Sequence, residues 1–378
     1  MIILYSGEFP GVSAGAKRIA LYQKGLEEAG VEADVVSTFR ATKNRLGVYL
    51  SSFFQPFFAF NAIMRQTHKH KLIFVYGYDW DSLLLIRLAT KIQRQKMILE
   101  INEKPGACYG NRFTELPVVK FVSLFMLTRF ALPIIDGFIV ISEQLKDYIR
   151  PFQKTNSKVL KVPVLINPDI SVLPKADNSI FTPFLLHAGA LSERKDGIIG
   201  VFEAFAMVNK KMNNILHFYL TSKVAPKEVW VQITNIIEQH NLNGLVHFTE
   251  RLTEEELLYY QQQCSMLILN KPDNEQNRNN FPTKLGEYLR LKKNVIYTPV
   301  GEMANYLMDG FNAFEIPTSR SDLLAEKIRY ILNNPVDVNR IAENGFALTQ
   351  NEFNYQFQGK RLKLFFEEVL NDNQGNHN

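Results

Sequence analysis

Short apolar runs alternate with helix-length segments along nearly the whole chain, and this alternation limits the possible folds more than any other feature of the sequence. The first runs are residues 1–5, Val31–Val36, Leu72–Tyr76 and Met97–Ile101. Parallel strands need a connection of helical length between them. The pattern therefore predicts an α/β fold built from parallel sheets with crossover helices.

The alternation occurs twice. The first series ends with runs over 134–142 and Val159–Ile166, and a second series follows over Phe184–Ala188, Leu216–Leu220, Leu245–Phe248, Met266–Leu269 and Val295–Tyr297. At 378 residues the chain is too long for one ordinary hydrophobic core. We therefore predict two doubly wound, Rossmann-like domains.

The domain boundaries follow from composition. Pro, Asp and Asn in LPKADNSIFTP mark a linker. The last helix carries Phe357, Leu364, Phe365 and Val369 at helical spacing, which predicts that it crosses back to pack on the N-terminal domain. The predicted order is an N-terminal domain over 1–172, a linker over 173–182, a C-terminal domain over 183–352, the crossover helix over 353–371 and a disordered tail over 372–378.

Three helix boundaries carry clear local signals. Thr253 and Glu256 form a capping box pattern ahead of two leucines. Ser142 followed by Glu143 predicts another helix start, and Gly30 predicts the end of the first helix.

The two cysteines, Cys108 and Cys264, are too far apart in sequence for a disulfide framework, which indicates a reducing compartment. The N-terminus shows no signal-peptide pattern, so we expect a cytoplasmic protein. Residues 1–172 contain 22 Lys and Arg against 14 Asp and Glu, a net charge of +8, while the rest carries −3. This basic half indicates either an anionic partner or only a solvated surface.

Residues 277–298 are the most informative segment for function. Doubly wound folds bind ligands at the carboxyl ends of their strands, where helix N-termini face anions. Pro282 suits a first helical turn, so we expect the amides of Thr283, Lys284 and Leu285 to hold a phosphate, with Lys284 adding charge. Glu287, one turn further on, can accept hydrogen bonds from sugar hydroxyls.

The run PTKLGEYLRLKKNVIYTPVG resembles the donor-binding stretch of glycosyltransferase family 4, and MDGFNAFEIP resembles a turn that follows it in that family. The resemblance implies the GT-B fold, in which two Rossmann-like domains face a cleft. It also implies retaining transfer of a sugar from a nucleotide-sugar donor, without a metal or another cofactor. The C-terminal domain then holds the nucleotide and the N-terminal domain the acceptor.

A second match lies in LLHAGALSERKDGIIGVFEAF, where Lys195 falls on the family's diphosphate-binding lysine. Ala190 replaces an arginine of the family pattern. Arg194 either substitutes for that arginine or is only a surface residue.

The remaining matches are N-terminal and catalytic. SGEFPGVSAGAKR resembles the family's glycine-rich loop, which makes Gly15 a donor-binding candidate. Arg18 is either an acceptor or phosphate contact or a solvated helix residue. In ILEINEKPG, Asn102 and Glu103 stand where many members carry a histidine and an acidic residue, and Asn279 stands near the position of a glutamate. The resemblance places these three residues in the catalytic region.

We therefore predict a retaining hexosyltransferase that acts on a saccharide or lipid-linked acceptor, in surface polysaccharide biosynthesis. The alternative is a catalytically silent paralogue that binds a nucleotide or glycan, since Ala190, Asn102 and Asn279 depart from the family pattern. The sequence has no nucleic-acid-binding motif, and GVSAGAKR does not fit a dinucleotide-binding turn.

Two aromatic segments, Tyr49–Phe60 and Phe121–Phe130, bear on the acceptor. Either they enter a membrane interface, which indicates peripheral contact at the inner face of the membrane, or they pack inside the N-terminal domain.

The Asp79-Trp80-Asp81 run is a metal-ligand pattern in another glycosyltransferase fold, but its place after a strand favours a helix N-cap. His68 and His70 indicate a solvated basic turn.

Overall fold

The computed structural model divides the chain into two units, Met1–Leu165 with Glu352–Asn378, and Ile166–Asn351. The predicted linker lies largely outside the residues that the structure describes, and the predicted tail lies wholly outside them. The side chains of Arg45, Leu46 and Val48 are also not described. The described residues are 1–41, 45–66, 70–105, 117–169, 180–249 and 252–371.

The first unit contains a parallel sheet of six strands in the order β2-β1-β3-β4-β5-β6. The predicted alternation is confirmed, with the second strand three residues later than its apolar run suggested. The strands are β1 Ile2–Tyr5, β2 Asp34–Ser37, β3 Leu72–Tyr76, β4 Lys96–Ile101, β5 Gly137–Val140 and β6 Lys158–Lys161.

Helices cover both faces of this sheet. In the sheet, β2 lies on one side of β1, and β3 to β6 follow on the other side. Because crossovers between parallel strands are right-handed, this reversal puts α1 on one face of the sheet and the next helices on the opposite face. The helices are α1 Ala14–Glu28, α2 Arg45–Met64, α3 Trp80–Ile92, α4 Pro117–Met126 and α5 Glu143–Ile149. A π turn over Leu127–Ala131 and a 3₁₀ turn over Leu132–Ile134 follow α4.

The local helix signals are confirmed. Ser142 caps α5 by accepting a hydrogen bond from the amide of Leu145 at 3.3 Å. Gly30 follows the end of α1 with a φ of +81°, the left-handed conformation that glycine adopts without strain.

The last helix, α14 over Tyr355–Asn371, packs on α1 of the first unit, as predicted. Its buried face differs from the predicted one: Phe365 and Val369 are buried, but Phe357 and Leu364 are 43% and 62% exposed. Gly359 fixes this rotation, because a Cβ built on it would clash with the carbonyl oxygen of Gly25 on α1.

The second unit contains two three-stranded parallel sheets, β7-β8-β9 and β10-β11-β12. They adjoin where the amide of Ser265 donates to the carbonyl of Phe184 at 2.9 Å. The sequence did not predict the two-residue strand β12. The strands are β7 Phe184–His187, β8 His217–Leu220, β9 Val246–Phe248, β10 Met266–Leu269, β11 Asn294–Tyr297 and β12 Phe314–Glu315.

The helices of the second unit pack on a core that includes Phe202, Phe205 and Phe218. The predicted capping box is present: the Thr253 hydroxyl accepts from the Glu256 amide, and the Glu256 carboxylate accepts from the Thr253 amide. The helices are α6 Glu193–Asp196, α7 Ile198–Lys211, α8 Lys227–Gln239, α9 Glu254–Gln263, α10 Glu275–Asn279, α11 Lys284–Arg290, α12 Ser321–Asn333 and α13 Pro335–Gln350, with a 3₁₀ turn over Gly301–Asn305.

Two further predictions concern isolated residues. His70 is buried, with its Nε2 atom 3.4 Å from Asp34, so the prediction of a solvated histidine was wrong; His68 lies outside the described residues. Cys264 is buried and free, and burial raises the pKa of its thiol to about 12.

Candidate functional site

The turn after β7 is an exposed loop at the carboxyl end of the strand. Gly189 has a φ of +116°, and its amide donates to Thr221 Oγ1, just beyond β8, at 3.0 Å. His187 Nε2 donates to the carbonyl of Ala190 at 3.2 Å. Burial and the nearby Lys284 lower the pKa of His187 to about 4, so a neutral imidazole braces the turn.

The short helix α6 follows this turn and carries two predicted donor-binding residues. Ser192 caps it by accepting from the backbone amide of Lys195 at 3.0 Å, while the side chains of Arg194 and Lys195 are exposed. Gly197 ends α6 in the left-handed conformation, and a Cβ there would lie 2.6 Å from the carbonyl oxygen of Asn270. Glycine is therefore needed where α6 meets the end of β10.

Asparagines hold α6 against the segment that follows β10. The side-chain amides of Asn274 and Asn277 both donate to the carbonyl of Arg194, at 2.8 and 3.1 Å. Asn270 donates to the carbonyl of Gly197 at 2.9 Å. These hydrogen bonds hold the backbone of α6 against the segment after β10, while the side chains of Arg194 and Lys195 are exposed to solvent.

Lys271 is a charged residue of this region that the sequence analysis missed. Its ammonium lies 2.7 Å from Asp196, and both side chains are largely buried. Partial burial acts to raise the pKa of Asp196, but Lys271 and Lys284 hold it below its ordinary value. Its position in the sequence could have identified it, because Lys271 comes two residues after the carboxyl end of β10.

Lys284, the first residue of α11, reaches the turn after β7. A Cβ built on Gly189 would lie 3.9 Å from Lys284 Nζ, so the ammonium stands directly beside that turn. Burial lowers the pKa of Lys284, and Asp196 and Glu287 oppose this effect. A partly desolvated cation beside an exposed turn is suited to bind an anion.

One part of the predicted phosphate site was wrong. The amide of Leu285 donates to the carbonyl of Pro282 at 3.1 Å, so it is already occupied, and the Leu285 side chain is buried. Thr283 occupies the N-cap position and is exposed, and Pro282 precedes the helix instead of opening it.

Glu287 lies one turn beyond Lys284 and is partly buried. Its Oε2 atom accepts from Gln261 Nε2 at 3.2 Å. Asn279, the predicted catalytic residue of this unit, donates its side-chain amide to the carbonyl of Glu275 at 2.7 Å. Asn279 thus contributes to holding the end of α10.

The predicted residues of the first unit lie near the carboxyl ends of β1, β3 and β4. Gly15 is packed against Tyr5, since a Cβ there would lie 2.7 Å from the Tyr5 hydroxyl. The amide of Asn102 donates to the Tyr76 hydroxyl, and Glu103 is exposed.

Arg18 is not a ligand contact, and both earlier interpretations of it were wrong. It is buried, and its Nε donates to Glu100 Oε1 at 2.6 Å. Its two terminal nitrogens donate to the carbonyls of Pro163 and Val162 at 2.7 and 2.9 Å. Although burial acts to lower it, Glu100 keeps the pKa of Arg18 above its ordinary value.

The Asp79-Trp80-Asp81 run begins α3. Asp79 holds the N-cap position, as predicted, but its side chain makes no capping hydrogen bond. Within the described ranges, no group of three or more His, Cys, Asp or Glu residues is arranged to hold a metal ion.

The candidate site therefore combines three segments of the second unit: the Gly189 turn, α6 with Lys195, and the start of α11 with Lys284 and Glu287. These segments meet at the carboxyl ends of parallel strands, where doubly wound folds bind ligands. Cations next to a glycine turn fit a phosphate, and a carboxylate one helical turn away fits hydroxyl groups.

The chain is similar to known proteins in sequence and in structure. Residues 177–347 match the family model of glycosyl transferases group 1. No curated protein sequence matches the chain.

Solved structures match nearly the full length. Sucrose-phosphate synthase from Thermosynechococcus elongatus has a TM-score of 0.71 at 17% identity, covering 97% of this chain and 98% of its own. A glycosyltransferase from Rickettsia africae has a TM-score of 0.68 at 15% identity, covering 97% of this chain and 98% of its own. HepE from Anabaena, in complex with UDP and glucose, has a TM-score of 0.66 at 15% identity, covering 97% of this chain and 99% of its own. Residues 177–347 are thus similar to glycosyl transferases group 1, and the chain has the GT-B fold.

Proposed function

We propose that this protein is a retaining glycosyltransferase, similar to family 4, that moves a hexose from a nucleotide-diphosphate sugar to a saccharide or lipid-linked acceptor. The observation that carries the proposal is the ammonium of Lys284 beside the Gly189 turn. A diphosphate bound at that turn gains a charge-assisted hydrogen bond from Lys284. The group 1 family match and the similar structure of HepE with UDP and glucose support this assignment.

The residues of the second unit have separate roles in this proposal. Lys284 and the exposed Lys195 neutralise the diphosphate, and Arg194 adds a third cation at the rim. The amides of Thr283 and Lys284 face the phosphate from the start of α11. Glu287, held by Gln261, accepts hydrogen bonds from hydroxyl groups of the donor.

The catalytic step is electrostatic in this proposal. Departure of the nucleotide diphosphate places negative charge on the leaving phosphate oxygen, and the cations at the Gly189 turn stabilise that charge in the transition state. Asn102 and Glu103 remain the proposed catalytic residues of the first unit. Asn279 is assigned to holding α10, because its amide is already bound to Glu275.

Titration of the full-length protein with UDP, GDP and ADP and with their sugars tests the donor site. Loss of a hydrogen bond to a charged group costs about 1.5–3 kcal/mol, so Lys195→Ala, Lys284→Met and Glu287→Ala should each weaken affinity about tenfold or more. Lys211→Ala is the matched control, because this exposed lysine lies at the far end of α7. Unchanged affinity in all three site variants, each correctly folded, would refute the assignment of these residues to the donor site.

A turnover assay with the same donors separates the enzyme from the silent alternative. Asn279 favours considering that alternative, because an asparagine stands near the position where the family pattern has a glutamate. Transfer to an acceptor, or slow release of free sugar, supports the enzyme. Tight nucleotide binding without either product supports a protein that only binds a nucleotide or glycan.

The biological setting is also part of the proposal. Synthesis of a surface polysaccharide at the inner face of the membrane is consistent with a basic N-terminal half and with the buried free thiol of Cys264. Assay with lipid-linked and soluble saccharide acceptors, with and without membrane vesicles, tests this assignment. Transfer to soluble saccharides alone would exclude it.

A further inference from the structure

An exposed aromatic face runs along α2 in the first unit. Tyr49, Phe53 and Phe57 follow one another at a spacing of four residues, which places them on one side of the helix. Phe53 and Phe57 are 69% and 53% exposed. These rings therefore do not pack in the core of the unit, which was one of the two interpretations of the sequence.

The second aromatic segment is still less buried. None of the residues of α4 is buried, and Phe121 is 70% exposed. Phe121 stacks on Phe125 with ring centres 6.5 Å apart, and Phe125 contacts Phe130 edge-on. Three rings thus form a continuous apolar surface that no described part of the first unit covers.

Both segments belong to the same side of the sheet. The helix α3 lies between them, because it packs against α2 and against the π turn that follows α4. It adds two exposed apolar side chains, Leu88 and Ile92, to the surface. We call the exposed apolar residues of α2, α3 and α4 with its π turn the aromatic face. Exposed apolar side chains on neighbouring helices of one side of the sheet mark an interaction site in a folded protein.

Charge identifies the partner of the aromatic face. Residues 45–64 and 117–134 contain three basic residues, Arg45, Lys120 and Arg129, and no Asp or Glu. Lys120 and Arg129 are exposed beside the phenylalanines. Aromatic side chains flanked by cations match a bilayer surface with anionic headgroups.

The fold favours an orientation of Pro117–Ile134 along a bilayer over one that crosses it. Among the described helices, Pro117–Ile134 alone is long and apolar enough to span a membrane, and 11% of it is buried. Its last turns are nevertheless fixed in the protein, because Ala131 and Leu132 are fully buried and β5 begins at Gly137 inside the sheet.

A cavity lined mainly by polar residues, which we call the polar cavity, opens on another side of α2. It has a volume of about 410 Å³, and its lining includes Gln55 of α2 with Arg40, Tyr78 and Asp81. The Gln55 amide donates to Thr38 Oγ1 at 2.6 Å, and this fixes the wall of the cavity. One helix thus carries both a polar cavity and part of the aromatic face.

We propose that the aromatic face docks the protein on an anionic lipid bilayer, and that docking holds the polar cavity, on the other side of α2, near the bilayer to receive the head of an amphiphilic acceptor. The assignment of the cavity rests on the proposed sugar transfer. The docking itself depends only on the aromatic face and its cations, so it can be tested without any donor.

Sedimentation of the full chain with vesicles tests the docking. We expect binding to vesicles that contain phosphatidylglycerol, weak binding to pure phosphatidylcholine vesicles, and release as salt is raised. The double variant Phe53→Gln/Phe121→Gln should lower partitioning about tenfold or more, because binding scales with buried apolar area. Arg129→Gln should weaken binding and reduce its salt dependence.

The matched control is Phe357→Gln/Leu364→Gln, which removes two exposed apolar side chains from α14, on the side of the sheet that α1 covers. This control should partition like the parent protein. Thermal unfolding and nucleotide titration of each variant show whether it is folded and whether the donor site is intact.

Three results would overturn the docking proposal: no binding of the parent to anionic vesicles at low salt, equal binding by the Phe53→Gln/Phe121→Gln variant, or a dimer that this variant dissociates. Vesicle binding without nucleotide binding would leave the docking standing and refute the proposed function. Nucleotide binding without vesicle binding would refute the docking and leave the proposed function standing.

Discussion

Arg18 allows a direct test of how the first unit is stabilised. Arg18 and Glu100 are almost completely buried, and the guanidinium makes three hydrogen bonds. Removing one partner of a buried ion pair typically costs about 3–5 kcal/mol, because the other charge stays buried without compensation. We therefore predict that Arg18→Met lowers the free energy of unfolding of the first unit by about 3–5 kcal/mol.

A second variant separates the charge from the packing. In Arg18→Met/Glu100→Gln, the introduced amide oxygen can still accept from Tyr22, which now donates to Glu100 at 3.0 Å. The double variant should regain at least about 2 kcal/mol relative to Arg18→Met, because it no longer buries an unpaired carboxylate.

The chain's two tryptophans make the measurement specific to one unit. Trp80 lies at the start of α3 in the first unit, and Trp230 lies in α8 of the second. In a Trp230→Phe background, urea unfolding followed by fluorescence reports on the first unit alone. A loss below about 1 kcal/mol for Arg18→Met, within the range of an ordinary surface change, would refute the reasoning.

The pH dependence gives an independent check. Burial raises the pKa of Glu100, and Arg18 opposes this effect. Removing Arg18 raises the pKa of Glu100 further. The stability lost in Arg18→Met is therefore largest above this raised pKa, where the buried carboxylate is charged, and it becomes smaller as the pH falls towards the ordinary carboxyl pKa and Glu100 takes up a proton. Arg18→Met/Glu100→Gln should show no such dependence, because the titrating group is gone.

Three other predictions address the rest of the chain. Gly359→Val should destabilise the first unit by about 1–3 kcal/mol in thermal unfolding, because its Cβ would meet the carbonyl of Gly25, whereas Gly244→Ala, with no atom within 4 Å, should have little effect. Because the pKa of His187 is lowered to about 4, the unfolded chain binds a proton there that the folded chain does not, so the second unit should lose stability as the pH falls from about 7 to 4. Urea titrations of His187→Gln should show a weaker loss, and an unchanged pH profile would contradict the assignment. Sugar transfer should be unaffected by EDTA and not increased by Mg²⁺ or Mn²⁺, and loss of activity on chelation would show that a metal takes part.

Features set by neighbouring residues were predictable from the sequence. The alternation of strands and helices, the cap at Ser142 and the capping box at Thr253 depend on contacts within a few positions of the chain, so a local pattern specifies them. The start of α11 was also found locally, although the turn from Pro282 to Leu285 uses an amide that was expected to be free.

Features set by distant residues were not predictable. Arg18 meets Glu100, which is 82 positions away, so no local pattern distinguishes it from an exposed arginine. Lys271 belongs to the site because β10 ends beside α6, which is likewise a tertiary contact. The buried face of α14 follows from the close approach of Gly359 to Gly25, and the apolar spacing alone therefore gave the wrong rotation of the helix.

Transfer of an isotopically labelled sugar tests the central claim most directly. The parent protein and Lys284→Met are incubated with the nucleotide-sugar that binds most tightly and with saccharide and lipid-linked acceptors, and the anomeric configuration of the product is read by NMR. We predict a glycoside with the configuration of the donor, formed at a rate that falls about tenfold or more in Lys284→Met. An inverted product would contradict the retaining assignment, and nucleotide binding without transfer to any acceptor would contradict the claim that the protein is an enzyme.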